Sequence, residues 1–222
     1  MMRFIESRDD IVRSAVTILR RPGTPLQFAL FPMVHVAEPA FYEQVAARLR
    51  GCGLIVAEGL PHAELRQLRR LARVRFDGLV DQVVALDLEA LGVPVLWPER
   101  QPADEPPGPW DPVLESAGAA VTWLSRIAFP RNLPDVDDTT RPQEPAWPLG
   151  RAWDRFTLHD RDKELLLELG RVFRARQQQP LVVAVVYGAY HMAAVAGFLT
   201  GRLGYRPAET EWLTVRHGPA AG

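Results

Sequence analysis

The sequence predicts an α/β fold, with a mixed, mainly parallel central sheet, helices on both faces and a proline-rich ordered insertion. Three observations carry this reading. The runs FALF, LIVA and LVVAVV are short, apolar and rich in branched residues, so they read as strands, and LVVAVV is apolar at nearly every position, as a strand covered on both faces must be. Apolar residues between them recur at helical spacing. A strand, a histidine, a helix and another strand occur in that order twice. Alternation of this kind is what a layered α/β domain requires.

In chain order, IVRSAVTILRRPGTPLQFALF reads as two extended segments around the Pro/Gly turn RPGTP. A helix follows in AEPAFYEQVAARLRGCG, with Pro39 suited to its first turn, Phe41, Val45 and Leu49 recurring every four residues, and Gly51 and Gly53 stopping it. GLIVAEGL is then a buried strand with Glu58 at its carboxyl end. A second amphipathic pattern covers 79–91 through Val80, Val84, Leu88 and Leu91, and GVPVLW returns as a strand. Near the chain's end, LHDRDKELLLELGRVFRA is a helix with Asp160 as N-cap, Asp162 and Glu164 near its positive terminus, and Leu165, Leu169, Val172 and Phe173 on the buried side. LVVAVVYG is the strongest strand, MAAVAGFLTGRL a small-residue-rich helix, and TEWLTV a final strand.

The chain has 222 residues, a length one core can serve, so a single domain over 1–222 is expected. Twelve of the 20 prolines lie between Pro94 and Pro148, yet Trp97, Trp110, Trp123, Trp147 and Trp153 flank or punctuate the same region. Disordered segments rarely carry so many large rings, so 97–150 reads as an ordered, irregular subregion or lid, with a helical spacing retained over 113–128.

Lys+Arg 26 against Asp+Glu 27 leaves a net charge of -1, which gives no general pull toward nucleic acid or an anionic membrane. The basic stretch Arg66, Arg69, Arg70, Arg73 and Arg75 reads as the wet side of a helix. MMRFIESRDD puts charges where a signal peptide needs an apolar segment, and no uninterrupted apolar run approaches the roughly 18 to 20 residues that span a bilayer. Cys52 is the single cysteine, so an intrachain disulfide and a thiolate metal cluster are excluded. The expected location is cytoplasmic, with no membrane and no nucleic-acid partner.

The repeated layout is the main functional clue. FALFPMVH and VVAVVYGAYH each end a strand and place a histidine three residues after Pro32 or Gly188. With the two units side by side in one sheet, His35 and His191 meet although 156 residues apart, and the Glu58 strand opens on the same edge. That edge is where open α/β sheets hold ligands. Two imidazoles and a carboxylate can hold a divalent ion with a position open for water, or divide into base, acid and orienting group without metal. Each has a plain alternative: a capping or hydrogen-bonded structural histidine for His35 and His191, and an exposed loop carboxylate for Glu58.

This ordered set resembles the TraB/TIKI family, related to erythromycin esterase-like and ChaN-like proteins. There a GxxH motif follows an early strand, a Glu ends the next, an Arg-Asp or Arg-Asn pair opens a late helix, and a second GxxH follows an apolar strand. Here Gly188-Ala189-Tyr190-His191, Arg161-Asp162 and Glu58 match. The first motif departs from the pattern as Pro32-Met33-Val34-His35, because proline has no N–H and a fixed φ. Tyr190 stands in place of the small residue common at that position and narrows the pocket.

The resemblance implies a metal-dependent hydrolase acting on a peptide or related acyl bond, with His35, Glu58 and His191 as metal ligands and Glu58, Arg161 and His191 as the catalytic groups. Arg161 either clamps negative charge or pairs with Glu58. The alternative is a catalytically inactive module binding haem or a small peptide through His35, Tyr190 and His191. His62, His159 and His217 read as loop, helix-flanking and tail residues. Cys52, at a turn leading into a strand, reads as packing rather than as a nucleophile. No GxSxG, HExxH, GxxxxGK[ST] or GxGxxG signature occurs.

Overall fold

The N-terminal charged stretch, which carries no strong strand signal, forms β1 (Arg3–Arg8) and turns through Asp9 and Asp10 into β2 (Ile11–Arg20). Both aspartates have positive φ, 49° and 60°, which a two-residue hairpin turn of this hand demands and a short polar side chain tolerates. A computed structural model describes residues 1–59, 78–98, 135–140 and 160–218, the side chains of Asp160 and Arg161 excepted.

After β2 come β3 (Gln27–Met33), β4 (Val36–Ala37), α1 (Pro39–Leu49) and β5 (Leu54–Ala57). Next are β6 (Val80–Asp81), α2 (Gln82–Ala85), β7 (Val95–Leu96) and β8 (Val136–Asp137). The C-terminal part holds α3 (Asp160–Arg176), β9 (Val182–Gly188), a 3-10 turn (Ala189–His191), α4 (Met192–Gly197), a π-helical turn (Phe198–Arg202) and β10 (Arg206–His217).

Eight strands form one sheet in the order β7-β5-β9-β3-β2-β1-β8, with β10 also on β2, while β4 and β6 make a separate pair. β10 follows β2 from Arg20 to Ile11, so it takes one edge of β2. The other edge is shared by β3, opposite Thr17 to Leu19, and β1, opposite Ile11 to Ser14. The sheet is therefore mixed. β3/β9, β5/β9 and β5/β7 are parallel, whereas the pairings of β2 with β1, β3 and β10, and of β1 with β8, are antiparallel.

The expectation of a mainly parallel sheet thus holds only for the end built from β3, β5, β7 and β9. The cause is the strand direction at the other end: β2 returns from β1 and β3 from β2 as hairpins, so β2 runs against β1, β3 and β10, and β8 runs against β1 in turn. Helices flank this mixed sheet.

The core follows the apolar patterns. α1 buries Phe41, Tyr42, Val45 and Leu49, and α3 buries Leu165, Leu169 and Val172. β9 is buried from Val183 to Tyr187, as expected of a strand with neighbours on both edges and cover on both faces. At about 1.5–3 kcal/mol for each large apolar side chain removed from water, these residues dominate the stabilisation of the sheet.

One helix prediction fails. Instead of one helix over 79–91, Val80 and Asp81 pair with β4, Gln82–Ala85 make a single α-helical turn, Glu89–Leu91 make a 3-10 turn, and Val84 is 48% exposed. Buried Asp81 accepts from Val83 N (2.9 Å) and starts α2, but Leu86 is extended (φ −122°, ψ 101°) and ends it. Pairing with β4 overrides the local period. Of 97–150, only 97–98 and 135–140 are described, so the lid reading and the spacing at 113–128 lie outside the described residues, as do Arg66 to Arg75, His62 and His159.

β10 carries two bulges, at Ala208 and Val215, where two of its residues advance against one of β2. The second turns the Val215 carbonyl to the Glu38 N–H at the start of α1 (2.9 Å). Glu209 and Glu211 on the same strand are paired with Arg20 and Arg48.

Candidate functional site

β9 runs between β5 and β3, parallel to both, with Ala57 level with Val186 and Met33 level with Gly188. The three strands therefore end together. His35 lies two residues past β3, Glu58 immediately past β5, and His191 three residues past β9 on the 3-10 turn. The two strand–histidine units do sit side by side, at the carboxyl edge where an α/β sheet offers its crevice.

Glu58 is held from both ends. Its N–H donates to Val186 O (3.0 Å), continuing the β5/β9 ladder by one residue, and its Oε2 accepts from Gly188 N–H (3.0 Å). The other oxygen, Oε1, is 4.0 Å from His191 Nε2. His191 is 5% exposed, and its Nδ1 lies 2.7 Å from Asp162 Oδ1 in the first turn of α3. An ionised carboxylate can only accept, so this bond assigns the proton to Nδ1 and leaves the Nε2 lone pair facing Glu58 when the ring is neutral. Tyr187 packs edge-on to the imidazole at 5.7 Å and fixes its plane further. The result is a carboxylate–imidazole–carboxylate series joining α3, the turn after β9 and the end of β5. Exposure is lowest at its centre, with the side chain of His191 at 6% between Asp162 at 26% and Glu58 at 14%.

The loop carrying His35 is pinned through its backbone. Tyr42 Oη donates to Val34 O (2.8 Å), Gln82 N–H donates to His35 O (2.8 Å), and Val36 pairs with Asp81. His35 shares the edge with Glu58 and His191. Among the described residues, however, no group of three or more His, Cys, Asp or Glu side chains is gathered as a metal would need. Arg161 opens α3 beside Asp162, and its side chain lies outside the described residues. Haem ligation by His191 would have to use Nε2, the nitrogen that faces Glu58.

The two motif halves differ in a physical way. Gly188 has φ −51° and ψ 142°, so it is not there for positive φ. What it supplies is its N–H to Glu58. A Cβ there would touch Glu58 Oε2 at 3.4 Å and His191 Cδ2 at 3.6 Å, which is ordinary contact. Pro32 can make no such donation. It stays in register with Tyr187 of β9, and its carbonyl accepts from the buried Ser14 hydroxyl (2.7 Å). In a strand the N–H and C=O of one residue point to the same edge, so the missing N–H faces β2, whose pairing with β3 ends at Leu30.

Asp162 is the site residue that sequence reasoning missed. It registers only as half of an Arg-Asp pair and as an acid at a helix start; nothing in the spacing shows that it reaches an imidazole 29 residues on. Cys52 lies at the opposite end of β5. Its thiol contacts Arg48 O, and burial pushes its pKa up to about 11, which makes it a poor nucleophile. Tyr190 is 39% exposed, and its pKa is raised by burial of the hydroxyl. Among the described residues no helix is long and apolar enough to cross a membrane.

No family model, curated protein or solved structure matches this chain. The resemblance to the TraB/TIKI pattern therefore rests on Glu58, Arg161-Asp162 and the Gly188–His191 motif alone.

Proposed function

We propose that the chain is a hydrolase of a peptide or related acyl bond in which His191 moves the proton. The observation that carries this is the Asp162–His191 bond of 2.7 Å, which presents Nε2 toward Glu58 at the carboxyl edge of the sheet. A carboxylate on Nδ1 sets the tautomer and supports the imidazolium that forms when Nε2 takes a proton. A water between Nε2 and Glu58 Oε1, at about 2.8 Å from each, fits the 4.0 Å gap with an angle of roughly 90° at its oxygen. Attack of that water on an acyl carbon, with its proton passing to Nε2 and on to the leaving group, is the reaction. Arg161 supports the developing oxyanion.

A divalent ion on the same groups is the second reading, favoured by the carboxylate behind His191, since ligating imidazoles usually carry such a partner. Two donors of a tetrahedral ion at about 2.0–2.1 Å stand roughly 3.3 Å apart, so Nε2 and Oε1 would have to close by about 0.7 Å and a third donor, His35, would have to join.

The test is turnover on a peptide and ester library with His191→Ala and Glu58→Gln beside the wild type, paired with metal stoichiometry before and after chelation. Turnover lost in folded His191→Ala and unaffected by chelation supports the metal-free reading. Loss of activity and metal together in His191→Ala supports the ion. Full activity in folded His191→Ala defeats both, and a wild type that turns over nothing but shows a haem absorption band replaces the enzyme with a binding module.

A further inference from the structure

Tyr190 departs from every other tyrosine in the chain. Tyr42, Tyr187 and Tyr205 are fully buried, and the hydroxyls of Tyr42 and Tyr205 donate to the carbonyls of Val34 and Leu26. Tyr190 is 39% exposed, and among the described residues its hydroxyl has no hydrogen-bond partner. The residues around it are not exposed with it, since Ala189, His191 and Met192 are buried. The turn therefore puts its two flanking residues into the protein and leaves a large aromatic side chain partly in solvent, at the residue before His191.

A phenol ring adds to the stability of a fold when it leaves water, and this one stays partly in it. Val84 is a second exposed apolar residue on the same edge. It belongs to α2, whose first residue, Gln82, donates to the carbonyl of His35. Of the four exposed large apolar side chains described, two thus border the loops after β3 and β9; Leu167, in the body of α3, and Met1, at the N-terminus, are the others.

We infer that Tyr190 is a specificity residue that contacts the substrate, its ring packing on an apolar or aromatic group next to the scissile acyl bond. This rests on the hydrolase reading above. The ring supplies the contact area. Selectivity then belongs to binding and not to the chemical step, because the proton is moved by His191.

The experiment compares wild type, Tyr190→Phe and Tyr190→Ala on two series of acyl substrates differing only in the flanking group, glycine in one and phenylalanine or leucine in the other. An aromatic contact of ordinary strength predicts that Tyr190→Ala raises KM by about 10-fold on the apolar series, with kcat within about twofold, while the glycine series changes little. Tyr190→Phe keeps the wild-type preference. Equal KM changes on both series, or a fall in kcat with KM constant, overturns the specificity role while leaving the hydrolase reading intact. Wild-type protein that turns over neither series overturns both.

Discussion

Replacing Asp162 with asparagine tests the site at its centre. The carboxylate is 2.7 Å from His191 Nδ1, and the imidazole it holds is almost wholly out of water. A hydrogen bond to a charged group is worth about 1.5–3 kcal/mol, which favours the Nδ1–H tautomer by roughly 10- to 150-fold. Asparagine keeps the shape and removes that preference, because its amide can donate to Nδ1 as well as accept from it. The expected outcome is direct. Nitrogen-15 NMR of the imidazole shows Nδ1 protonated and Nε2 bare in the neutral wild-type ring, and a shift toward Nε2–H in Asp162→Asn. Turnover falls by at least about 100-fold, well inside the roughly 10,000-fold loss seen when the orienting carboxylate behind a catalytic histidine becomes an amide. A wild-type ring found as the Nε2–H tautomer, or an Asp162→Asn variant with unchanged tautomer and turnover, refutes the reasoning whatever the substrate is.

Three further outcomes follow from the same geometry. Ser14→Ala leaves the Pro32 carbonyl buried without its 2.7 Å donor and lowers stability by about 1–3 kcal/mol in chemical denaturation. Gly188→Ala adds a methyl at ordinary contact distance and changes stability by less than about 1 kcal/mol, whereas Gly188→Pro, whose φ of −51° the ring accepts, removes the N–H from Glu58 and costs about 1.5–3 kcal/mol; equal losses for the two variants would deny the N–H its role. Cys52 has its pKa pushed from 9.0 to about 11, so at pH 8 its alkylation runs roughly 100-fold slower than that of a free thiol of pKa 9.0. The sign for stability is set by the same shift: the folded state keeps the proton longer, so the contribution is intact below about pH 9 and is lost as pH rises toward 11, a decline that Cys52→Ala removes.

Much of the fold was legible because its signals are local. Pro39 with Phe41, Val45 and Leu49 marked α1, and the unbroken apolar run of β9 marked a strand with neighbours on both edges. The meeting of the three strand ends also followed, since repeated strand–histidine units in one sheet share an edge. What failed depends on partners distant in sequence. β1 reads as charge because its one interior acid, Glu6, is buried against Arg3, Arg8 and Arg13, an arrangement no hydrophobic period records. The helix expected over 79–91 was undone by the pairing of Asp81 with Val36. The reversal of β2, which makes the sheet mixed, was implicit in the RPGTP turn but not in the strand runs. Asp162 was visible as an acid at a helix start, and only the packing of α3 against α4 turns it to His191.

The bulges of β10 bear on how the protein behaves in crowded solution. Among the described residues β10 pairs with β2 alone, and a twelve-residue strand so placed would ordinarily offer a ruled line of free peptide groups to any passing chain. Here Ala208 and Val215 interrupt that line, Pro207 removes one donor from it, and the peptide at Val215 is occupied by α1. The uninterrupted stretch is cut to Glu209–Thr214, and its two glutamates bring charge to the approach. A variant deleting Ala208 would lengthen the even ladder and make self-association the characteristic fault of this fold, so the irregularities guard β10 against pairing with a second chain.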